Sequence, residues 1–149
     1  MLYFIIFLPI VILWFLFCFI LSIGGLFIPQ TDFSKVEGAD KKETVCKSLN
    51  KKGLLTNKEY SFETDHVATQ YDKITFDGYF FIMKPIIFSL NNFNFLDQTM
   101  LWFVRKWMSV QKFLIYQEGK PKKIYILITY FCVLIAKNVG LVINFFLKS

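Results

Sequence analysis

The stretch Ile124–Leu147, IYILITYFCVLIAKNVGLVINFFL, decides how the rest of the chain is read. As a helix it rises about 1.5 Å per residue, enough to cross a hydrocarbon layer of about 30 Å. Lys137 interrupts it near the middle. Insertion scales charge a central lysine roughly +2.5 to +3.5 kcal/mol and return about −0.3 to −0.6 kcal/mol for each Leu, Ile, Val or Phe. The run holds fifteen such residues, a surplus of about 6 kcal/mol that absorbs the lysine. The stretch is therefore expected to span a membrane, and Lys137 to need a partner there.

At about 100° per residue, Thr129, Cys132, Ala136, Gly140 and Asn144 fall in one sector, with Lys137 beside Asn144 at its edge. Attraction between membrane helices comes from close packing and hydrogen bonds, so such a stripe is where another helix docks. Lys137 and Asn144 are the expected intramembrane anchors to a second polypeptide. Cys132, Ala136 and Gly140 are the expected packing surface. The plainer reading is that membranes tolerate small residues and that Lys137 snorkels into a water defect.

The 149 residues leave room for one small domain, and 55% hydrophobic residues with mean hydropathy +0.47 put it in the membrane class. Phenylalanine occurs 19 times, and sixteen lysines stand against the single Arg105. That bias follows A/T-rich codons rather than protein physics. Cys18, Cys46 and Cys132 are far apart and form no metal-ligand spacing, so they read as small apolar residues. The formal charge of +6 is spread among mixed acids and bases, with no basic stripe for nucleic acid.

Met1 to Ile28 carries no charge and lacks the basic start and short core of a cleaved signal, so a retained first span is expected over residues 1–28. Its helix is expected from about residue 9, with Pro9 in the first turn. Cys18, Ser22 and Gly25 give it a narrow packing face. Residues 29–96 form a polar and aromatic loop region. Within it, a short helix is expected at 40–50. Tyr60 and Phe62, then Ile74, Phe76 and Phe80, alternate with period two and predict a short β-hairpin. Residues 79–96 contain Lys84, Pro85 and three asparagines, a poor match to a third span. They are expected along the membrane surface or in a partner's cleft.

Residues 97–118 predict an amphipathic helix, capped by Asp97 and ended by Gly119 and Pro121. Met100, Phe103, Val104, Trp107, Met108, Val110, Leu114 and Ile115 share its apolar face. Two settings suit it: the headgroup plane, with Arg105 and Lys112 toward anionic phospholipid, or the side of a neighbouring subunit. The second span follows at 122–148. The fold class is thus a mainly α membrane protein, with two transmembrane helices flanking a polar loop, an interfacial helix and a short hairpin. Lys120, Lys122 and Lys123 before the second span place the central loop on the positive side and both termini opposite.

Sites of chemistry are missing from the pattern. His66 is the sole histidine, neither span holds Asp or Glu, and no phosphate-binding, zinc-protease or nucleophile-elbow motif occurs. Glu63, Asp65 and His66 read as a solvated surface cluster. No catalytic, cofactor or metal residue is expected.

The stretches MLYFIIFLPIVILWFLFCFILSIGG and YILITYFCVLIAKNVGLVINFF, with the residue bias above, resemble in composition the small divergent membrane proteins encoded in the mitochondria of ciliates and related protists. No family motif is matched, so the resemblance transfers no residue role. It implies a non-catalytic subunit of a respiratory-chain complex in the mitochondrial inner membrane, with the loop in the matrix and both termini in the intermembrane space. Cytochrome c oxidase leads, then complex I, then ATP synthase, with other membrane subunits as partners and no cofactor. The alternatives are a self-associating pore with Lys137 lining the path, and a membrane-tethered binding module.

Overall fold

Asp72 fixes where the central helix begins: its carboxylate accepts a 2.7 Å hydrogen bond from the Thr75 N–H and caps α4, Lys73–Asn92. The computed structural model describes residues 2–27, 43–67 and 70–147. In chain order the helices are α1 (Leu2–Gly25), α2 (Val45–Lys51), α3 (Asn57–Phe62), α4, α5 (Asp97–Tyr116) and α6 (Lys123–Leu147), with a π-helical turn at Glu63–Val67. Two helices, α1 and α6, are long and apolar enough to cross a membrane.

No strand occurs among the described residues, and the expected hairpin is a correction. Tyr60 and Phe62 lie on α3, while Ile74, Phe76 and Phe80 lie on α4. Gly78, between Phe76 and Phe80, is buried inside α4. Ile74, Gly78, Ile82, Ile86 and Leu90 recur every four residues as its buried stripe. The short helix expected at 40–50 is α2, capped by Thr44 through a 3.1 Å bond from Lys47 N–H. Residues 28–42 lie outside the described residues, as do 148 and 149. α1 starts at Leu2 rather than near residue 9, so Pro9 lies inside the helix rather than in its first turn.

The contacts set the helix directions. Phe7 meets Phe93 and Phe95, Val11 packs on the cluster holding Ile86 and Leu90, and Trp14 Nε1 donates to the Ile82 carbonyl at 3.1 Å. α1 therefore runs antiparallel to α4. α6 does so too, because Gly78 lies against Ala136 while Ile74 lies against Gly140. The two apolar helices consequently run parallel, with Gly25 beside Asn138 and Gly24 beside Val142. A two-pass hairpin requires them antiparallel, so the expected placement of both termini on one side differs from this arrangement. The return run is α4, whose 20 residues rise about 30 Å.

Two apolar clusters hold the layers. Cys18, Ile82, Ala136 and Val139 join α1, α4 and α6, with Trp14, Leu21 and Ile143 around them. Val45, Cys46 and Leu49 of α2 pack on Ile86, Ile87 and Leu90 of α4 and on Leu101, Val104 and Met108 of α5. Up to Asn92, residues 79–96 belong to α4, which packs on other helices of this chain. Pro85 cannot donate to Phe81, which loosens that turn, and Trp14 supplies a donor to the neighbouring Ile82 carbonyl.

Candidate functional site

Lys137 is the residue that sequence reasoning placed at the centre of function. Its Nζ lies 3.8 Å from Asp72 Oδ2, and the side chains are 30% and 18% exposed. The same chain supplies a carboxylate to Lys137, the one that caps α4. Depth explains why the lysine is tolerable. Gly25, at the end of α1, abuts Asn138, and the start of α4 abuts Gly140, so Lys137 sits where two neighbouring helices end. Polar backbone and the Asp72 cap gather there. The Asn144 side chain donates to the Gly140 carbonyl of its own helix at 2.9 Å, so it too is answered within the chain.

The small-residue stripe is also occupied from within. Thr129 and Ala136 are buried, Cys132 is half-buried, and a Cβ at Gly140 would meet the Ile74 carbonyl. On α1, Cys18 and Ser22 are buried, and a Cβ at Gly25 would meet the Asn138 backbone. Of the expected packing residues, Gly25 and Gly140 lie against neighbouring helices, and Cys18 and Ala136 share one apolar cluster with α4.

Arg105 and Lys112 are exposed, and each also has a contact within the chain. Arg105 Nε donates to Glu59 Oε1 at 3.1 Å, and Lys112 Nζ stands 5.3 Å from the Phe62 ring centroid. Leu101, Val104 and Met108, on the buried side of α5, are spent on α2 and α4 rather than on acyl chains. Thr56 and Glu59 form a reciprocal capping box at the start of α3. The Thr56 N–H, with Arg105 added, holds the Glu59 carboxyl below its ordinary value.

Glu63, read from sequence as part of a solvated cluster, is half-buried, with its Oε2 atom shut off from solvent. Burial pushes its carboxyl up to about 7, and Oε2 has no hydrogen-bond partner. Its charge is felt by Cys46, Tyr71 and Tyr79. Tyr71 accepts a 2.7 Å bond from Gln111 Nε2, and burial raises its hydroxyl to about 12. Burial likewise raises the Cys46 thiol, so it stays protonated and is no nucleophile. The His66 ring lies 5.7 Å from that of Phe62 and 5.9 Å, edge-on, from that of Tyr116. Among the described residues no three His, Cys, Asp or Glu groups converge to hold a metal ion.

Sequence reasoning missed Asp72, Glu63 and Trp14. Asp72 carried a readable signal, an N-cap aspartate followed by a period-four apolar stripe, and T-N-K-E at Thr56–Glu59 spells a capping box. Glu63 carried none, because its burial comes from α2 and α4. The arrangement defines a class: a helical protein with two membrane-length apolar helices packed on a third, more polar one. No protein-family model, no curated protein and no solved structure matches the chain.

Proposed function

We propose that the chain is an integral protein of the mitochondrial inner membrane and a non-catalytic structural subunit of a respiratory-chain complex, cytochrome c oxidase ahead of complex I and ATP synthase. The observation that carries the membrane part is α1. Leu13, Ile20 and Ile5 are 66%, 65% and 62% exposed, and apolar side chains cover nearly its whole outer surface. In water an exposed apolar surface of that extent is an aggregation liability; in a bilayer it is ordinary. The organelle part rests on the compositional resemblance.

The pore reading needs Lys137 free to line a path, and the Asp72 carboxylate beside it counts against that. The test is fractionation of native membranes. The chain should resist alkaline carbonate and migrate on a native gel with the subunits of one large complex, identified by mass spectrometry. Migration as a lone 17.6 kDa chain in its detergent belt would end the subunit reading.

A further inference from the structure

The layer on the far side of α4 is at the same depth as the apolar helices. Lys52 Nζ ties the end of α4 to the start of α5, with the Phe93 carbonyl at 2.8 Å and Asp97 Oδ1 at 2.9 Å. Gln111, near the other end of α5, is bonded to Tyr71, just before α4 begins. α5 therefore runs back along α4, and Arg105, between these two ties, stands near the level of Ile82. Trp14, in the middle of α1, is bonded at that same level. Arg105 draws Glu59 and α3 to it.

If α1 crosses a bilayer, an exposed face bearing Lys58, Arg105 and Lys112 beside Glu59 and Glu118 lies at hydrocarbon depth. Acyl chains cannot solvate it, since each cation at that depth is strongly unfavourable. Water can reach it only inside a cavity, and a cavity in a bilayer needs a second protein wall. An open hollow of about 380 Å³ between Glu59, Arg105, Met108, Ser109 and Lys112 is shaped to receive side chains.

We propose that this α3–α5 face docks a second membrane polypeptide that presents carboxylate and hydrogen-bonding side chains at mid-bilayer depth. The inference rests on the membrane reading above and names the surface it requires. α1 and the outer side of α6 face lipid; α3 and α5 face protein. The excess of cations over acids selects an acidic complement.

The test uses native membranes opened to both sides and a membrane-impermeant amine reagent, read by mass spectrometry at Lys58 and Lys112. Labelling in membranes should be no more than about a tenth of that in the dissociated chain. Protection should survive exchange of lipid for mild detergent while the particle stays whole, and vanish when it is dissociated. Full labelling in intact membranes overturns the proposal, since the face would then lie in water. Labelling that appears on lipid exchange alone also overturns it, because lipid would have been the cover. Release of the chain by alkaline carbonate overturns the membrane reading instead, and retention with reactive lysines overturns only the docking face.

Discussion

Gly140 lies against the main-chain carbonyl of Ile74, so α6 and α4 meet backbone to backbone with no side chain between them. Gly78, one turn further along α4, does the same against Ala136. Such an approach strengthens dispersion contact and needs hydrogen in place of a methyl on both helices. Neither carbonyl can move aside, because each belongs to a helix. Gly140→Ala should therefore cost about 3 kcal/mol, the upper part of the usual overpacking range. A thermal midpoint in detergent equal to that of the unmodified protein would show that the helices are not in contact here.

Asp72 has two tasks that can be separated. Asn caps a helix as well as Asp does, so Asp72→Asn keeps the bond from the Thr75 N–H and removes only the charge facing Lys137. With 3.8 Å between the charged atoms and the lysine partly exposed, a double-mutant cycle of Asp72→Asn and Lys137→Met should give a coupling of about 1 kcal/mol or less. A coupling several times larger would place the pair in hydrocarbon rather than at the level where α1 ends.

Glu63 should make stability depend on pH. A carboxyl raised from 4.5 to about 7 favours the protonated folded state. Below its ordinary value it costs nothing; stability then falls as pH rises from about 4.5 to about 7, and is flat beyond. The full loss is about 3 kcal/mol. Glu63→Gln should remove the fall and melt higher than the parent at pH 8, with little difference at pH 4.5. Parallel melting profiles for the two proteins across that window would refute the buried carboxyl.

Lys52 fastens the corner between α4 and α5 with charge-assisted bonds to Phe93, Asn94 and Asp97. Lys52→Met keeps the aliphatic stem and leaves Asp97, only 13% exposed, without its cation. The loss should be about 2 kcal/mol. Amide exchange in the first turn of α5 should speed up, while that in α6 stays as it was; equal rates throughout would mean that the corner holds without the lysine.

Much of the helix content was legible in the residues because its causes are local. α5 ends short of Gly119 as expected, but Asp97 is its first residue and not its cap, its carboxylate taking Lys52 instead, and α6 covers the whole apolar run. α2 follows Thr44. The hairpin expectation arises because Tyr60 and Phe62, and likewise Ile74 and Phe76, stand two residues apart and satisfy a strand pattern, while the period-four stripe through Gly78 is visible only if glycine counts as a packing residue. The small stripes on α1 and α6 were read correctly as contact surfaces. Their partners were not legible, because a glycine that admits a close neighbour says nothing about which chain the neighbour belongs to.

The sequence by itself determined that two long segments are apolar enough for a bilayer, that Lys137 interrupts one of them, and which side of each helix is narrow. Chain length, side-chain transfer energy and the 100° helical step require no knowledge of the fold. Only the tertiary structure decided that α1 and α6 run in the same direction, that α4 runs opposite to both, and that Asp72 meets Lys137. Those relations depend on which surfaces meet across sequence separations of tens of residues, and several pairings of similar stripes satisfy the same local chemistry. The close backbone contacts of Gly78 and Gly140 select the pairing seen here.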